Sequence, residues 1–304
     1  MSSFIDSLHS GRMLLMDGAM GTELQRAGLR RGKNAATWNV LHPERVRAIH
    51  RAYADAGAEV LLTNTFPIND GSYGQTTGLD KDAVWRAAYD LIGPKVFRLA
   101  AVGPVADGSS PSAREFNLLG LFKVRSRCHD WRPHTCRHFS HAILLETCSS
   151  PRVRYAIRRL HKWHADQPIL LSLTYHRDAA GKVVTFSGHS PEWFASRAQR
   201  YGLAALGVNC GRDISVSDCA EIIRRYRRVT DLPLFARPNA GTPKKVSGRW
   251  VYPLTPRAMA DRVPELLEAG VCMVGGCCGT TPKHIAALRP VVDRWNAGRG
   301  NRYP

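Results

Sequence analysis

The chain has 304 residues, 44% of them hydrophobic, enough to bury a large core as one big domain or two ordinary ones. Its formal charge of +18 invites a nucleic-acid reading, while eight cysteines scattered through so long a chain point to reduced thiols in a cytoplasm and not to a disulfide scaffold. No apolar run is long enough to span a bilayer, and the start MSSFIDSLHSGR lacks the apolar core of a signal peptide, so membrane and secreted classes are set aside.

Eight short apolar runs follow one another along the chain. They are MLLMDGAM from Met13, EVLLTNTF from Glu59, FRLAAVGPV from Phe97, HAILLETC from His141, PILLSLTY from Pro168, LAALGVNC from Leu203, LPLFARPNA from Leu232 and VCMVGGCCG from Val271. Unbroken apolar character predicts strands buried on both faces, and the helical patterns between them predict parallel crossovers. In PERVRAIHRAYADAGAEV, Val46, Ile49, Tyr53 and Ala56 form a helical stripe that Gly57 stops; TPRAMADRVPELLEAGVCMV repeats the arrangement before the last run. Eight strand–helix units in a chain of this length predict a single-domain α/β fold, a (β/α)8 TIM-type barrel. An open doubly wound sheet is the alternative, but no G-x-G-x-x-G follows the first run and no P-loop occurs.

Polar residues gather at the ends of these runs: Asp17, Thr63 and Asn64, Glu146, Asn209 and Cys210, Asn239, and Cys277 with Cys278. In a parallel barrel those ends converge on one rim, where active sites are built. Strand ends carry polar residues simply because chains turn there, but two acids and three cysteines at one mouth ask for more. Cys277 and Cys278 are neighbours, and neighbours in a strand point to opposite faces, so a shared task needs backbone that has left strand geometry. Gly275, Gly276 and Gly279 permit that. Three thiolates with one open position describe a catalytic zinc site, whereas a structural site uses four protein ligands. The other readings are plain buried thiols, expected of Cys219 and Cys272, a strained vicinal disulfide, and a Cys210–His284 nucleophile pair.

LLMDGAMGTELQRAG, LLTNTF, LLETCSS, GVNC, RPNAG and GGCCGTTPKHI, in this order from Leu14 to Ile285, resemble the homocysteine S-methyltransferase family. The resemblance implies a barrel in which Cys210, Cys277 and Cys278 hold Zn2+ and the thiolate of L-homocysteine takes its open position. It implies that Asp17 and Glu146 serve the substrate ammonium and that the backbone of Gly18, Ala19, Met20, Gly21 and Thr22 cradles its carboxylate; Asn209, beside Cys210, joins the substrate-binding set. Physical chemistry agrees, because an amino acid held by both ends needs an anion and a group of N–H donors, and a helix start supplies the latter. The expected reaction is in-line transfer of an activated methyl group to the thiolate, giving methionine. Family members use S-methylmethionine, S-adenosylmethionine, betaine or a cobalamin-bound methyl. Pro67 stands where the betaine branch has an aromatic residue, and the chain has no room for cobalamin and folate modules, so a sulfonium donor is expected; a separate methyl-donating partner is the alternative.

One stretch departs from the family. LFKVRSRCHDWRPHTCRHFSH, residues 121–141, replaces the amphipathic helix expected there and has no helical stripe. It reads as a second Cys/His metal site, a local frame shift or plain divergence within an otherwise continuous 1–304 domain. The basic runs RRYRR and YAIRRLHK lie on expected outer helices and read as a solvated surface. They lack the interleaved aromatics of a nucleic-acid platform, so nucleic acid is not expected as a partner.

Overall fold

A computed structural model describes residues 3–69, 77–103, 140–246 and 249–300. Its frame is eight parallel strands, labelled here β1 Leu14–Leu15, β2 Val60–Leu62, β3 Phe97–Val102, β4 Ala142–Cys148, β5 Ile169–Leu173, β6 Ala205–Asn209, β7 Leu234–Arg237 and β8 Met273–Val274. Each comes from one of the eight apolar runs. They hydrogen-bond in chain order, β8 pairs with β1, and a parallel bridge between Met16 and Val60 closes the ring. The expected (β/α)8 barrel is therefore observed. Among the described residues no helix is long and apolar enough to cross a membrane. Residues 121–139 of the atypical stretch lie outside the described residues.

Strand periodicity sorts the side chains into two layers. Leu14, Met16, Val60, Leu62, Leu99, Ala101, Ala142, Leu144, Leu170, Ala205, Phe235 and Met273 fill the barrel, and the N-terminal helix Phe4–His9 plugs its lower end with Phe4 and Leu8. The alternate residues, such as Leu15, Leu61, Ile143, Leu171, Val208 and Val274, pack outward against the helices. The interior is tight: a Cβ on Gly207 would overlap the Phe235 ring, so the small residue on β6 makes room for the large one on β7. The same parity that puts Leu144 and Phe235 inside carries Glu146 and Arg237, two residues further on, into the mouth.

The outer helices show why their sequences form them. Helix Pro43–Asp55 begins with proline in its first turn and buries Val46, His50 and Tyr53. Helix Val216–Arg227 starts in a capping box between Ser215 and Asp218, and its arginines fall in the last turn, where they oppose the dipole. Many of the arginines that create the basic balance sit on such surfaces with acids in reach, as Arg225 does with Glu192 at 2.7 Å.

Candidate metal and substrate site

The two cysteines come together because the chain leaves the barrel ladder at Val274. Gly275 N–H still donates to Ala236 O at 3.1 Å, after which Gly276 N–H donates to Asp17 O at 3.0 Å and Cys277 N–H to Pro238 O at 2.8 Å. Cys278 O then accepts from Ala240 N–H at 2.9 Å. The turn is thereby stitched to the ends of β1 and β7 instead of continuing as strand. A Cβ on Gly275 would lie 2.6 Å from Asp17 O, and Gly279 has a φ of +81°, so both positions call for glycine.

Cys210 reaches the same point from β6. Its φ of +58° lies in the left-handed region, sparsely populated for residues with a Cβ. The Sγ atoms of Cys210, Cys277 and Cys278 all lie within 4.8 Å of one another, with Cys210 and Cys278 at 3.9 Å, and form a donor set for a metal ion. The neighbouring Cys277 and Cys278 thiols hold the Cys210 thiol far below the ordinary range. The same bonds from Cys210 hold Cys277 and Cys278 above it. The six described cysteines are free, so no vicinal disulfide forms among them. His284 is engaged elsewhere, its Nδ1 with Thr281 and its Nε2 with Leu254 O at 3.0 Å, leaving it no role beside Cys210.

The floor of the mouth is an ionic cluster. Asp17 Oδ2 accepts from Leu62 N–H at 2.8 Å, and Asp17 Oδ1 accepts from Arg237 Nη2 at 3.0 Å. Arg237 Nη1 donates to Glu146 Oε1, and Nη2 also reaches Gly18 O at 3.2 Å. All three residues are buried. Burial pushes the carboxyls of Asp17 and Glu146 up to about 7, against the pull of Arg237. Arg237 resists the burial that would discharge it because Glu146 and Asp17 flank it. Within RPNAG the sequence signal for Arg237 is an arginine closing an otherwise apolar run with inward parity.

A cavity of about 1130 Å3 joins the two halves, lined by Asp17, Glu146, Cys210, Cys277, Cys278 and the whole of Gly18 to Thr22. Helix Met20–Arg26 opens at Ala19 with no side-chain cap, so its first backbone amides keep no intrahelical partner. Thr63 and Asn64 also line the cavity, with Thr63 Oγ1 bound to Ala101 N–H at 3.0 Å and the Asn64 amide to Asn39 Oδ1 at 3.0 Å. Asn209 lies elsewhere. It is fully buried, its Oδ1 accepting from Ser172 Oγ at 2.6 Å and Thr147 N–H at 3.2 Å, its Nδ2 donating to Thr147 Oγ1 at 2.8 Å and Cys277 Sγ at 3.6 Å. Asn239 Nδ2 ties the β7 end to Gly211 O at 3.3 Å.

The profile of the homocysteine S-methyltransferase family matches residues 14–292. The oxidized form of the homocysteine methyltransferase MmuM from Escherichia coli superposes with a TM-score of 0.69 at 25% identity, covering 92% of this chain and 96% of that one. Its metallated form, at 24% identity over the same shares, has a TM-score of 0.68 and shares the fold. The methionine synthases of Mycobacterium leprae and Mycobacterium tuberculosis are each 28% identical over 96% and 93% of this chain. The alignments take in 26% and 25% of those relatives, so the chain spans about a quarter of their length.

Proposed function

We propose that this chain, which belongs to the homocysteine S-methyltransferase family, transfers a methyl group from a sulfonium donor to the thiolate of L-homocysteine, giving methionine. The donor is S-methylmethionine or S-adenosylmethionine, the setting is the cytoplasm, and residues 1–304 act as one homocysteine-binding domain. The observation that carries this reading is the convergence of three cysteine sulfurs on a cavity whose floor holds two acids.

The donor set fits zinc. Sulfurs around a tetrahedral zinc with bonds of ~2.3 Å lie about 3.8 Å apart, against 3.9 Å for Cys210 and Cys278. Cys210, Cys277 and Cys278 would hold the ion, and when bound it supplies the Lewis acidity that lets a thiol lose its proton near neutral pH. The chain's own residues do the rest. Glu146 and Asp17 provide the negative floor for an ammonium, and the backbone of Gly18 to Thr22 faces its carboxylate. Asn209 holds Cys277 and the Thr147 turn in place from behind. Phe66, Trp250 and Tyr252 line the cavity as well, and aromatic faces suit a cationic methyl donor.

The charge of the rim favours a second reading of the donor. Arg26, Arg31 and Lys33 line the outer cavity, and among the described residues neither Arg31 nor Lys33 has an acidic partner. An anionic methyl carrier, presented by a separate partner, suits that wall better than a sulfonium.

The test measures zinc in purified wild type and Cys278→Ala and assays each for methionine formation from homocysteine with S-methylmethionine and, separately, with S-adenosylmethionine. One zinc per chain and turnover, both lost in the variant, are expected. Zinc without turnover on either sulfonium moves the assignment to the anionic carrier. A wild type without zinc, prepared in reductant and free of chelator, overturns the mechanism.

A further inference from the structure

Helix Val153–Trp163, the crossover that follows β4, is built against its own charges. It packs Val153, Ala156, Ile157 and Leu160 toward the barrel and leaves Arg154, Arg158 and Lys162 exposed in a row, one turn apart. Like charges four residues apart destabilise a helix, and Arg152 and Arg154 sit at its positive end, where the dipole repels them. The helix contains no aspartate or glutamate, and no side chain caps its start. Other helices of the chain follow the opposite rule: Arg51, Arg224, Arg257, Arg262 and Arg289 each face an acid three or four residues away. Among the described residues Arg154, Arg158, Arg159, Lys162 and Arg200 have no acidic partner.

The fold adds aromatic rings that the basic run does not interleave. The turn Gln199–Tyr201 lies against the helix, with Tyr201 O and His161 Nε2 in hydrogen-bond contact at 3.0 Å, and carries exposed Arg200 and half-buried Tyr201 to the same flank of the barrel. Tyr155 and Trp163 are half-buried too, and guanidinium groups lie on them. Arg154 stands 4.8 Å from the Tyr155 ring centroid and donates to its hydroxyl at 2.9 Å, and Arg159 stands 5.4 Å from the Trp163 centroid. A guanidinium laid on a ring is held in place while its edge can still donate to an oxyanion.

A partner for this flank must be strongly anionic and need no apolar seat. Among the described residues no exposed large hydrophobic side chain lies on the helix or the turn. A protein interface has an apolar core and a membrane-surface helix an apolar face, whereas nucleic acid draws its affinity from phosphate charge. From Arg154 to Lys162 the row spans about 12 Å, the length of roughly three to four phosphates of a stacked strand. Half-open rings beside the cations favour a single strand, whose bases can lie on them. We propose that the flank formed by helix Val153–Trp163 and Arg200 binds the phosphate backbone of single-stranded nucleic acid without reading its sequence. This activity stands apart from methyl transfer and uses no residue of the cavity.

The test is the anisotropy of a fluorescein-labelled oligouridylate titrated with wild type and two quadruple variants. One is R154Q/R158Q/K162Q/R200Q; the other, R51Q/R224Q/R257Q/R262Q, removes the same number of charges from arginines that have acids in reach. Four phosphate contacts set a slope of about −3 in log K against log salt for wild type, a loss of about 50-fold between ~50 and ~200 mM. The first variant loses most of that slope and binds more than about 10-fold more weakly at ~50 mM, while the second stays within about 3-fold of wild type. Urea midpoints establish that each is folded. If the first variant fails to fold, R158E decides, because an acid between Arg154 and Lys162 favours the helix and weakens binding about 10-fold. Equal weakening in the two quadruple variants traces binding to net charge and overturns the site, as does an R158E that binds like wild type. A wild type that leaves the oligonucleotide unbound at low salt overturns it as well, and cosedimentation with vesicles of phosphatidylcholine and phosphatidylserine in equal parts then assigns the flank to a lipid surface.

Discussion

Replacing Asn209 with alanine should damage the site from behind without touching the cavity. The side chain makes four hydrogen bonds, to Ser172 Oγ, Thr147 N–H, Thr147 Oγ1 and Cys277 Sγ, and it is fully buried. Alanine leaves the buried Ser172 hydroxyl and the half-buried Thr147 amide without their acceptor, at roughly 1–3 kcal/mol each. Thr147 works against this. Its φ of +60° is an outlier for a β-branched residue, and strain of that kind, of order 1–3 kcal/mol, persists only where neighbours hold it. Relaxation of the Thr147 turn offsets that much of the sum, so about 1–3 kcal/mol is expected in urea unfolding. At about 2 °C per kcal/mol for a chain of this size, the melting temperature falls by roughly 2–6 °C. Cys277 also loses its Nδ2 donor, and support lost behind a metal ligand typically lowers metal affinity ~10- to 100-fold. Competition against a chromophoric chelator measures that second quantity independently of stability. A variant that loses under about 1 kcal/mol and keeps wild-type zinc affinity would falsify the view of Asn209 as the bracket of the site.

Other perturbations follow from the same packing. Gly275→Ala places a methyl group 2.6 Å from Asp17 O and 2.7 Å from Met16 Cβ, so the β8–β1 seam must open; about 1–3 kcal/mol of stability is lost, read from urea curves, and an unchanged midpoint contradicts the packing described. Chelation of the purified protein should lower its melting temperature and added zinc restore it, by about 2.7 kcal/mol at a hundredfold excess over Kd; a melt indifferent to both would argue against a metal at the three cysteines. His50 is buried with no partner for either ring nitrogen among the described residues, and burial pushes its pKa down to about 3. The unfolded chain takes up a proton near pH 6.5 that the folded chain refuses until about 3, so wild type loses stability as pH falls through that window. His50→Leu should remove that part of the slope, and parallel pH profiles for the two proteins would show that His50 does not contribute it.

The barrel was legible because its signal is repeated eight times. Each buried parallel strand reads as an unbroken apolar run, and the short runs at Met13 and Val271 were found although the ladder they form is only two residues long. Position at a strand end also sufficed to bring Asp17, Glu146 and the three cysteines to one mouth. What the sequence hid was the division of labour there. The bonds that fix Asn209 and Asp17 run to partners distant in sequence, Ser172, Thr147 and Arg237, and no local pattern announces them. Arg237 was masked by its neighbours, since RPNAG draws the eye to the proline and glycine turn. Parity with Phe235 was the available clue, because two residues beyond an inward aromatic comes another inward side chain. The left-handed backbone at Thr147 and Cys210 had no such clue; neither is glycine, and only the surrounding bonds impose it.

The site is best understood by what it leaves unspent. Asp17, Asn209, Thr63 and Thr280 all have their side chains committed to protein partners, Thr280 Oγ1 donating to Cys277 O at 2.7 Å and receiving Ala19 N–H at 3.1 Å. These bonds fix where each group stands before a ligand arrives. The polar groups of the inner cavity whose capacity stays open include the thiols, Glu146 Oε2 and the first amides of helix Met20–Arg26. A soft cation, an ammonium and a carboxylate match those three openings in turn. The residues around them are bound so fully that the openings hold their places before anything arrives, and preorganisation of that kind is where binding gains most, since little ordering remains to be done on association. It also explains why a buried arginine is tolerated at β7. Burial already holds the two acids at about 7, and without the arginine between them both would be pushed higher still.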